Sequence, residues 1–432
     1  MDRAVSAARR AFTVFSGTSR SERIELIENF YRIFKRRSYE IAEIVTIQTG
    51  MPISVSSGSL IGFCEAHIAK TLEILKEFNF EVSSGITTVR KEPIGVIGLI
   101  TPWNWPIGQI LTKLLPALAT GCTTVLKPSE YTPLDAVIVA EMLDEARFPP
   151  GVFNLVQGDG ATVGDAITRH PDVDMISFTG STRAGVQISK SAADTVKRVV
   201  HELGGKSANI LLKDADFQNA VPAAVENCFH LSGQACDAGT RLLVPHDRLA
   251  QVVTLACDAA DKMVVGSPND TRTNMGPLVN EQQFDLVQAK IAQGIDEGAN
   301  IVCGGLGRPE GNPNGFFVRP TIFSDVTESM SIFREEIFGP VLSIVPYHTY
   351  EQAIDIANNS HYGLAAYVAG SDISAAQKVA NSLRVGSVYV NSPPLDAGAP
   401  YGGYRQSGNG RECGEYGFHE CLELKSIIGI RV

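Results

Sequence analysis

Cys236 stands in the run Gly233-Gln234-Ala235-Cys236-Asp237-Ala238-Gly239-Thr240-Arg241, among small residues that leave its sulfur sterically open. A thiolate is a soft, strong nucleophile even when only a small fraction is ionised. A lone cysteine is otherwise an inert small hydrophobe. The other seven, at positions 64, 122, 228, 257, 303, 413 and 421, read that way. Two glycine-bearing turns suit phosphate groups. Gly158-Asp159-Gly160 with Gly164 lies between a strand pattern and a helix pattern, where glycines let the backbone approach a pyrophosphate. The spacing is one residue longer than the common dinucleotide fingerprint, and an ordinary tight turn fits equally well. Phe178-Thr179-Gly180-Ser181-Thr182 places hydroxyls at a helix start, where they contact phosphate oxygens or simply cap the helix.

The surrounding periodicities supply the elements that must hold these groups. Residues 1–78 read as helices. Leu26, Ile27, Phe30, Tyr31 and Phe34 share one face, and a second helix is expected near 39–49. Residues 79–99 turn to Val, Ile and Thr around Gly85, a pair of strands. Strands at Val96–Ile100, Thr123–Leu126, Val152–Val156, Met175–Phe178 and Arg198–Glu202 then alternate with helices, including spans near 134–146 and 182–192. Such repeats imply a parallel sheet covered on both faces. A second α/β series follows Gly204-Gly205, with strands near 209–213, 241–244, 341–346 and 386–390, and Leu422–Val432 reads as one more strand. The fold class expected is α/β with two Rossmann-like lobes. A β element at 79–93 is free to pair with the C-terminal strand.

Bulk properties narrow the function. The 432 residues suffice for two or three domains, and 44% hydrophobic with 19% charged residues is a globular balance. A net charge of -10 with no basic block argues against nucleic acid. Ile33-Phe34-Lys35-Arg36-Arg37 reads as a solvated helical face. No cysteine pair or Cys/His spacing suits a metal, and scattered cysteines fit a reducing compartment. The N-terminus lacks a signal-peptide core and no apolar run spans a membrane, so a cytoplasmic location is expected.

Six motifs in order decide the class. They are Pro102-Trp103-Asn104-Trp105-Pro106, Lys127-Pro128-Ser129-Glu130, Phe178–Thr182, Glu202-Leu203-Gly204-Gly205-Lys206 (which begins 34 residues before Cys236), Glu335-Glu336-Ile337-Phe338-Gly339-Pro340 and Pro400-Tyr401-Gly402-Gly403-Tyr404. Together they resemble the NAD(P)-dependent aldehyde dehydrogenase superfamily over essentially the whole chain. The resemblance implies that Cys236 is the nucleophile, that Asn104 with the Cys236 backbone N–H holds the oxyanion, and that Glu202 is the base activating water. It implies cofactor contacts from Thr101, Trp103, Lys127, Ser129, Glu130, Gly160, Gly180, Ser181, Leu203, Glu336 and Phe338. Glu130 would accept both ribose hydroxyls and repel a 2′-phosphate, favouring NAD over NADP. Trp105, Thr112 and Tyr401 would line the aldehyde tunnel. Lys206 reads equally as structural.

The resemblance also divides the chain into an NAD-binding domain (1–78 and 94–203), a catalytic domain (204–420) and an oligomerisation element (79–93 and 421–432), implying a homodimer or homotetramer. The family usually carries several tens of residues of β structure ahead of the helix that opens here. Asp237 departs from the apolar or small residue usual beside the nucleophile. It either lines the aldehyde pocket or turns into a hydrogen-bond network. The activity implied is NAD-dependent oxidation of a small-molecule aldehyde to its acid. A semialdehyde-specific or acylating dehydrogenase and a non-catalytic scaffold are the alternatives. Glu202 counts against the acylating form, because branches that pass the acyl group to coenzyme A or phosphate commonly lack it.

Overall fold

The computed structural model describes residues 1–429; the expected strand's last residues, 430–432, lie outside them. The strands in chain order are β1 (Glu81–Ser84), β2 (Thr87–Pro93), β3 (Val96–Ile100), β4 (Thr123–Lys127), β5 (Phe153–Leu155), β6 (Met175–Thr179), β7 (Arg198–Glu202), β8 (Ala208–Leu211), β9 (Arg241–Pro245), β10 (Asn300–Cys303), β11 (Thr321–Ser324), β12 (Val341–Tyr347), β13 (Ala365–Ala369), β14 (Ser387–Val390), β15 (Gly408–Asn409) and β16 (Leu422–Ile428).

Three sheets result. The first runs β15-β7-β6-β3-β4-β5, parallel except for β15. Every residue of β3, β4 and β6 is buried, as strands of a parallel sheet covered on both faces must be. The second runs β10-β11-β12-β9-β8-β13-β14, parallel except for β10. In the third, β2 pairs antiparallel with both β1 and β16, so the C-terminal strand does join the 79–93 element.

Each large sheet reverses direction of winding once. In the first, chain order runs outward from β3 to β4 and β5, then resumes on the other side with β6 and β7. The crevice between the carboxyl ends of β3 and β6 is therefore a topological switch point, where α/β sheets receive ligands.

Four details differ from the sequence reading. The two helices expected near 26–34 and 39–49 are one helix, Arg20–Thr49. A Ser19/Glu22 capping box opens it, Gly50 at φ +76° closes it, and Ile33, Phe34, Ile41, Ala42 and Val45 keep one buried face without a break. Its basic residues Arg36 and Arg37 are held outside by Glu145, Glu40 and Glu141. The helix after Gly158–Gly164 is short, a π-helical turn over Gly160–Gly164 continuing to Arg169. Strands β10, β11, β13 and β15 carry too few residues, or too mixed a pattern, to stand out in the sequence. Finally, Cys257 and Cys303 are half-buried rather than core residues, unlike the buried Cys64, Cys122, Cys228, Cys413 and Cys421. Among the described residues no helix is long and apolar enough to cross a membrane.

Candidate active site

The loop carrying Cys236 is built under strain. After the helix Phe217–Phe229, three successive residues adopt left-handed backbone: Leu231 at φ +53°, Ser232 at +59° and Gly233 at +71°. Such a conformation costs a non-glycine residue on the order of 1–3 kcal/mol and persists only where its surroundings enforce it. Here they do. Ser232 Oγ donates to Gly276 O at 2.8 Å. Gln234 Nε2 donates to Leu231 O at 3.0 Å, and its Oε1 accepts from Val279 N at 3.0 Å. A side chain at Gly233 would collide with the Gly339 carbonyl. The next residues are consequently fixed in space, Cys236 among them.

The Cys236 Sγ lies 3.2 Å from the Tyr401 hydroxyl, and the residue is half-buried. Burial, followed by the nearby Glu202 and Asp237 carboxyls, pushes its thiol well above the ordinary range, and the Tyr401 hydroxyl pulls it back. Glu202 ends β7. It is 1% exposed, and neither carboxyl oxygen has a hydrogen-bond partner in the protein. Burial first, and the Glu412 carboxylate second, hold its pKa far above normal. Lys113, on the helix Pro106–Thr120, partly offsets this while donating to Glu412 and to Thr179 Oγ1 at 2.5 Å. An unpartnered, desolvated carboxyl of this kind is the form in which a carboxyl group serves as a proton acceptor near neutral pH.

Asn104 sits in the turn between β3 and the helix opened by Pro106. Its Nδ2 donates to Gln234 O at 2.9 Å, two residues ahead of Cys236. That bond fixes the amide plane, and a planar amide carries its second N–H at a set angle to the first. A neutral, preorganised donor beside a nucleophile suits a developing oxyanion.

Most of the residues expected to contact the cofactor follow the carboxyl ends of β3, β4, β6 and β7; Gly160 follows β5, and Glu336 and Phe338 belong to the other lobe. Thr101 is buried at the end of β3, and its N–H donates to Lys127 O at 3.2 Å. Trp103 meets Phe338 edge-on, with centroids 5.3 Å apart and planes at 88°. Lys127 closes β4 and donates to Glu130 at 2.9 Å. Burial acts to raise the Glu130 pKa, but its own backbone amide and Lys127 prevail and keep it low, so the carboxylate stays charged. Ser129 accepts from Tyr131 N at 3.2 Å. Gly180 N donates to Glu202 O at 3.1 Å, and Ser181 caps the helix Thr182–Ala192. Gly185 in that helix packs against Leu203. Gly160 has open space where a side chain would begin. From the other lobe, Glu336 accepts from Gly205 N at 3.0 Å, an approach that a side chain at Gly204 would block. Burial lifts Glu336 to about 7. A carboxylate over β4, a capped helix start beyond β6 and an aromatic pair between the lobes fit the ribose, pyrophosphate and ring of a dinucleotide.

Comparison with known proteins gives the family. The aldehyde dehydrogenase family model matches residues 1–427. The chain belongs to the aldehyde dehydrogenase family. It is 50% identical over 436 residues to a 3-succinoylsemialdehyde-pyridine dehydrogenase from a Pseudomonas species, covering 99% of this chain and 90% of that protein. A cysteine-to-alanine mutant of an aldehyde dehydrogenase from Pseudomonas syringae, complexed with NAD+ and octanal, superposes with a TM-score of 0.99 at 50% identity, covering 100% of this chain and 89% of that one. A Mycobacterium tuberculosis aldehyde dehydrogenase complexed with NAD+ gives a TM-score of 0.97 at 39% identity, covering 100% and 91%.

Within this aldehyde dehydrogenase, the residues expected to line the tunnel divide. Tyr401 reaches the sulfur itself. Trp105 packs over Gly108 and beside the rings of Phe63 and His230. Thr112 is buried, donates to Gln109 O at 3.2 Å, and borders a small void with Ile97, Leu99 and Pro116; that lining includes neither Cys236 nor Tyr401. Asp237 turns toward Tyr367, whose hydroxyl contacts its main-chain oxygen at 3.1 Å and its carboxyl at 3.4 Å. That is the hydrogen-bonded arrangement, and burial raises the carboxyl's pKa there. Sequence reasoning gave no role to Tyr367, Gln234 or the Lys113–Glu412 pair. Gln234 was visible only as a neighbour of Cys236. Tyr367 and Glu412 lie more than a hundred residues from their partners, and no local pattern marks them.

Proposed function

We propose that this enzyme oxidises an aldehyde to the free carboxylic acid with NAD+, through a covalent Cys236 intermediate hydrolysed by water that Glu202 activates. The observation that carries this reading is that Asn104 docks on Gln234 O two residues ahead of Cys236, while the buried Glu202 carboxyl lies near enough to the Cys236 sulfur that each shifts the other's pKa. Cys236 gives its proton to water and attacks the carbonyl carbon, forming a C–S bond as the carbonyl π pair moves onto oxygen. The oxyanion that results is held by the second N–H of Asn104 and the backbone N–H of Cys236. As that oxyanion re-forms a carbonyl, the aldehyde hydrogen leaves as hydride; bound NAD+ supplies the electron-poor ring that accepts it. A thioester remains on Cys236. Glu202 takes a proton from water, the hydroxide adds to the thioester, and the C–S bond breaks to release acid and regenerate the thiol.

Glu130, paired with Lys127 and charged, supports NAD over NADP. One relative at 50% identity is named for a pyridine semialdehyde and another is complexed with octanal, so the overall likeness selects no single substrate. In the β1–β2–β16 sheet, Val82, Ile86, Leu424 and Ile428 are each at least half exposed, which supports burial of this element between subunits of a dimer or tetramer. Light scattering on purified protein checks the assembly; a clean monomer would contradict it. The chemistry is tested by incubating the protein with NAD+ and an aldehyde panel without coenzyme A. Equal amounts of NADH and free acid are expected, and both should vanish in Cys236→Ala. Acid formation that survives that substitution would remove the proposed nucleophile.

A further inference from the structure

Tyr401 is held as firmly as the nucleophile it touches. Its N–H donates to Glu412 O at 2.8 Å and its carbonyl accepts from Glu412 N at 2.7 Å, a two-way bridge that fixes its backbone. Gly402 follows at φ +147° and packs against Gly410 and Arg411, while Gly403 lies against Ser407. Arg411 donates to the carbonyls of Gly403 and Gly410, at 3.2 and 2.5 Å. The ring leaving this knot has one polar atom, and that atom lies 3.2 Å from the Cys236 sulfur.

The groups facing that sulfur make this contact matter. Glu202 approaches from the end of β7 and Asp237 from the same loop, both carboxyls that disfavour a neighbouring thiolate. Tyr367 and Tyr389, stacked with centroids 5.2 Å apart, lie near enough to sense its charge but bond elsewhere. His230 acts on Asp237. Behind Glu202 stands the Glu412–Lys113 pair. Among these groups Tyr401 is the one whose hydrogen bond lowers the sulfur's pKa by donation. Burial and the surrounding acids hold the phenol well above its ordinary pKa, so it remains a donor at working pH.

Resting on the assignment of Cys236 as nucleophile, we propose that Tyr401 is a catalytic residue: its hydroxyl donates a hydrogen bond to the Cys236 thiolate, before attack and again when sulfur leaves the thioester. No bond to oxygen breaks in this role. The phenol keeps its proton, the sulfur carries the electron pair, and the bond strengthens as negative charge gathers on sulfur.

The test is the pH dependence of iodoacetamide alkylation at Cys236, located by peptide mass spectrometry, in the full-length enzyme. Tyr401→Phe keeps the ring and removes the donor. The alkylation midpoint is expected to rise by about one pH unit, with kcat/KM falling roughly tenfold below that midpoint. Replacement of Tyr401 by 3-fluorotyrosine, a stronger donor of nearly the same size, should move the midpoint down. It keeps the test open should the Phe variant fold poorly. An unchanged midpoint in either correctly folded variant overturns the proposal. Cys236→Ala separates the two layers: if that variant stays active, the nucleophile assignment fails; if it is inactive while Tyr401→Phe keeps the parent midpoint, only the role of Tyr401 is lost.

Discussion

The side-chain amide of Asn104 docks on the main-chain oxygen of Gln234 at 2.9 Å, joining the end of β3 to the strained loop of the second lobe. This bond orients the donor before any substrate arrives. Asn104→Ala should leave the fold intact and lower kcat/KM by about 100- to 1,000-fold, the usual cost of one lost oxyanion donor. Steady-state kinetics with circular dichroism as a fold control checks it. A loss below about threefold would assign the amide a structural role only.

Glu202 has no hydrogen-bond partner for either oxygen, so replacing it by its amide breaks no hydrogen bond; it removes the proton acceptor and the carboxyl that raises the Cys236 thiol. Glu202→Gln should still form the thioester. Rapid mixing is expected to show a burst of NADH equal to the active sites, followed by turnover slowed about 100- to 10,000-fold. Intact-mass analysis should find the acyl adduct. In the parent enzyme the hydrolytic step should accelerate with rising pH, because burial and Glu412 keep this carboxyl protonated through the ordinary carboxylate range.

Cofactor choice should respond to Glu130. The carboxylate is exposed, and Lys127 beside it is a ready partner for phosphate. Glu130→Ala is expected to raise the NADP-to-NAD ratio of kcat/KM about tenfold by removing repulsion and freeing the ammonium. Initial rates with both cofactors decide it.

A stability change with pH follows from Asp135. Its Oδ1 accepts from Gln48 at 3.0 Å, while Oδ2 is buried without a partner. Burial lifts its pKa from 3.8 to about 7. The folded state therefore binds the proton more tightly than the unfolded chain, and stability from this group is complete below 3.8 and lost as pH rises toward 7. Asp135→Asn cannot titrate. Its melting temperature relative to the parent should climb between pH 4 and pH 7 and level off above. A flat difference across that window would refute the assignment.

The sequence already held the path of the first lobe, because β3 is an unbroken apolar run and β4 and β6 are short runs of β-branched and apolar residues, each set between helices. It held Cys236, Glu202 and Asn104 as members of ordered motifs. It did not hold their contacts. Tyr401 lies 165 residues from Cys236, and only folding brings the two together. Asp237 left two orientations open because the choice is made by Tyr367, 130 residues away. The helix Arg20–Thr49 read as two pieces since the polar stretch around Arg36 and Arg37 interrupts the visible stripe, although it lies on the face that pairs with Glu141 and Glu145. Thr112 is expected in the aldehyde tunnel from the resemblance, and its hydroxyl donates within its own helix.

The short strand β15 belongs by sequence to the second lobe but pairs with β7, opposite His201 and Glu202. Beside it, Leu203 N donates to Ser407 O at 3.0 Å, and Ser407 Oγ spans Gly204 O and Gly363 N at 2.7 and 2.9 Å. The lobes are thus sewn together one residue from the carboxyl that would activate water. A fragment cut at residue 203 would expose a raw sheet edge and leave that carboxyl's strand unsupported. Excised halves of this enzyme should regain hydrolytic competence only when co-folded, and a nick in the 404–410 stretch should disable the site while sparing the four buried hydrophobic clusters.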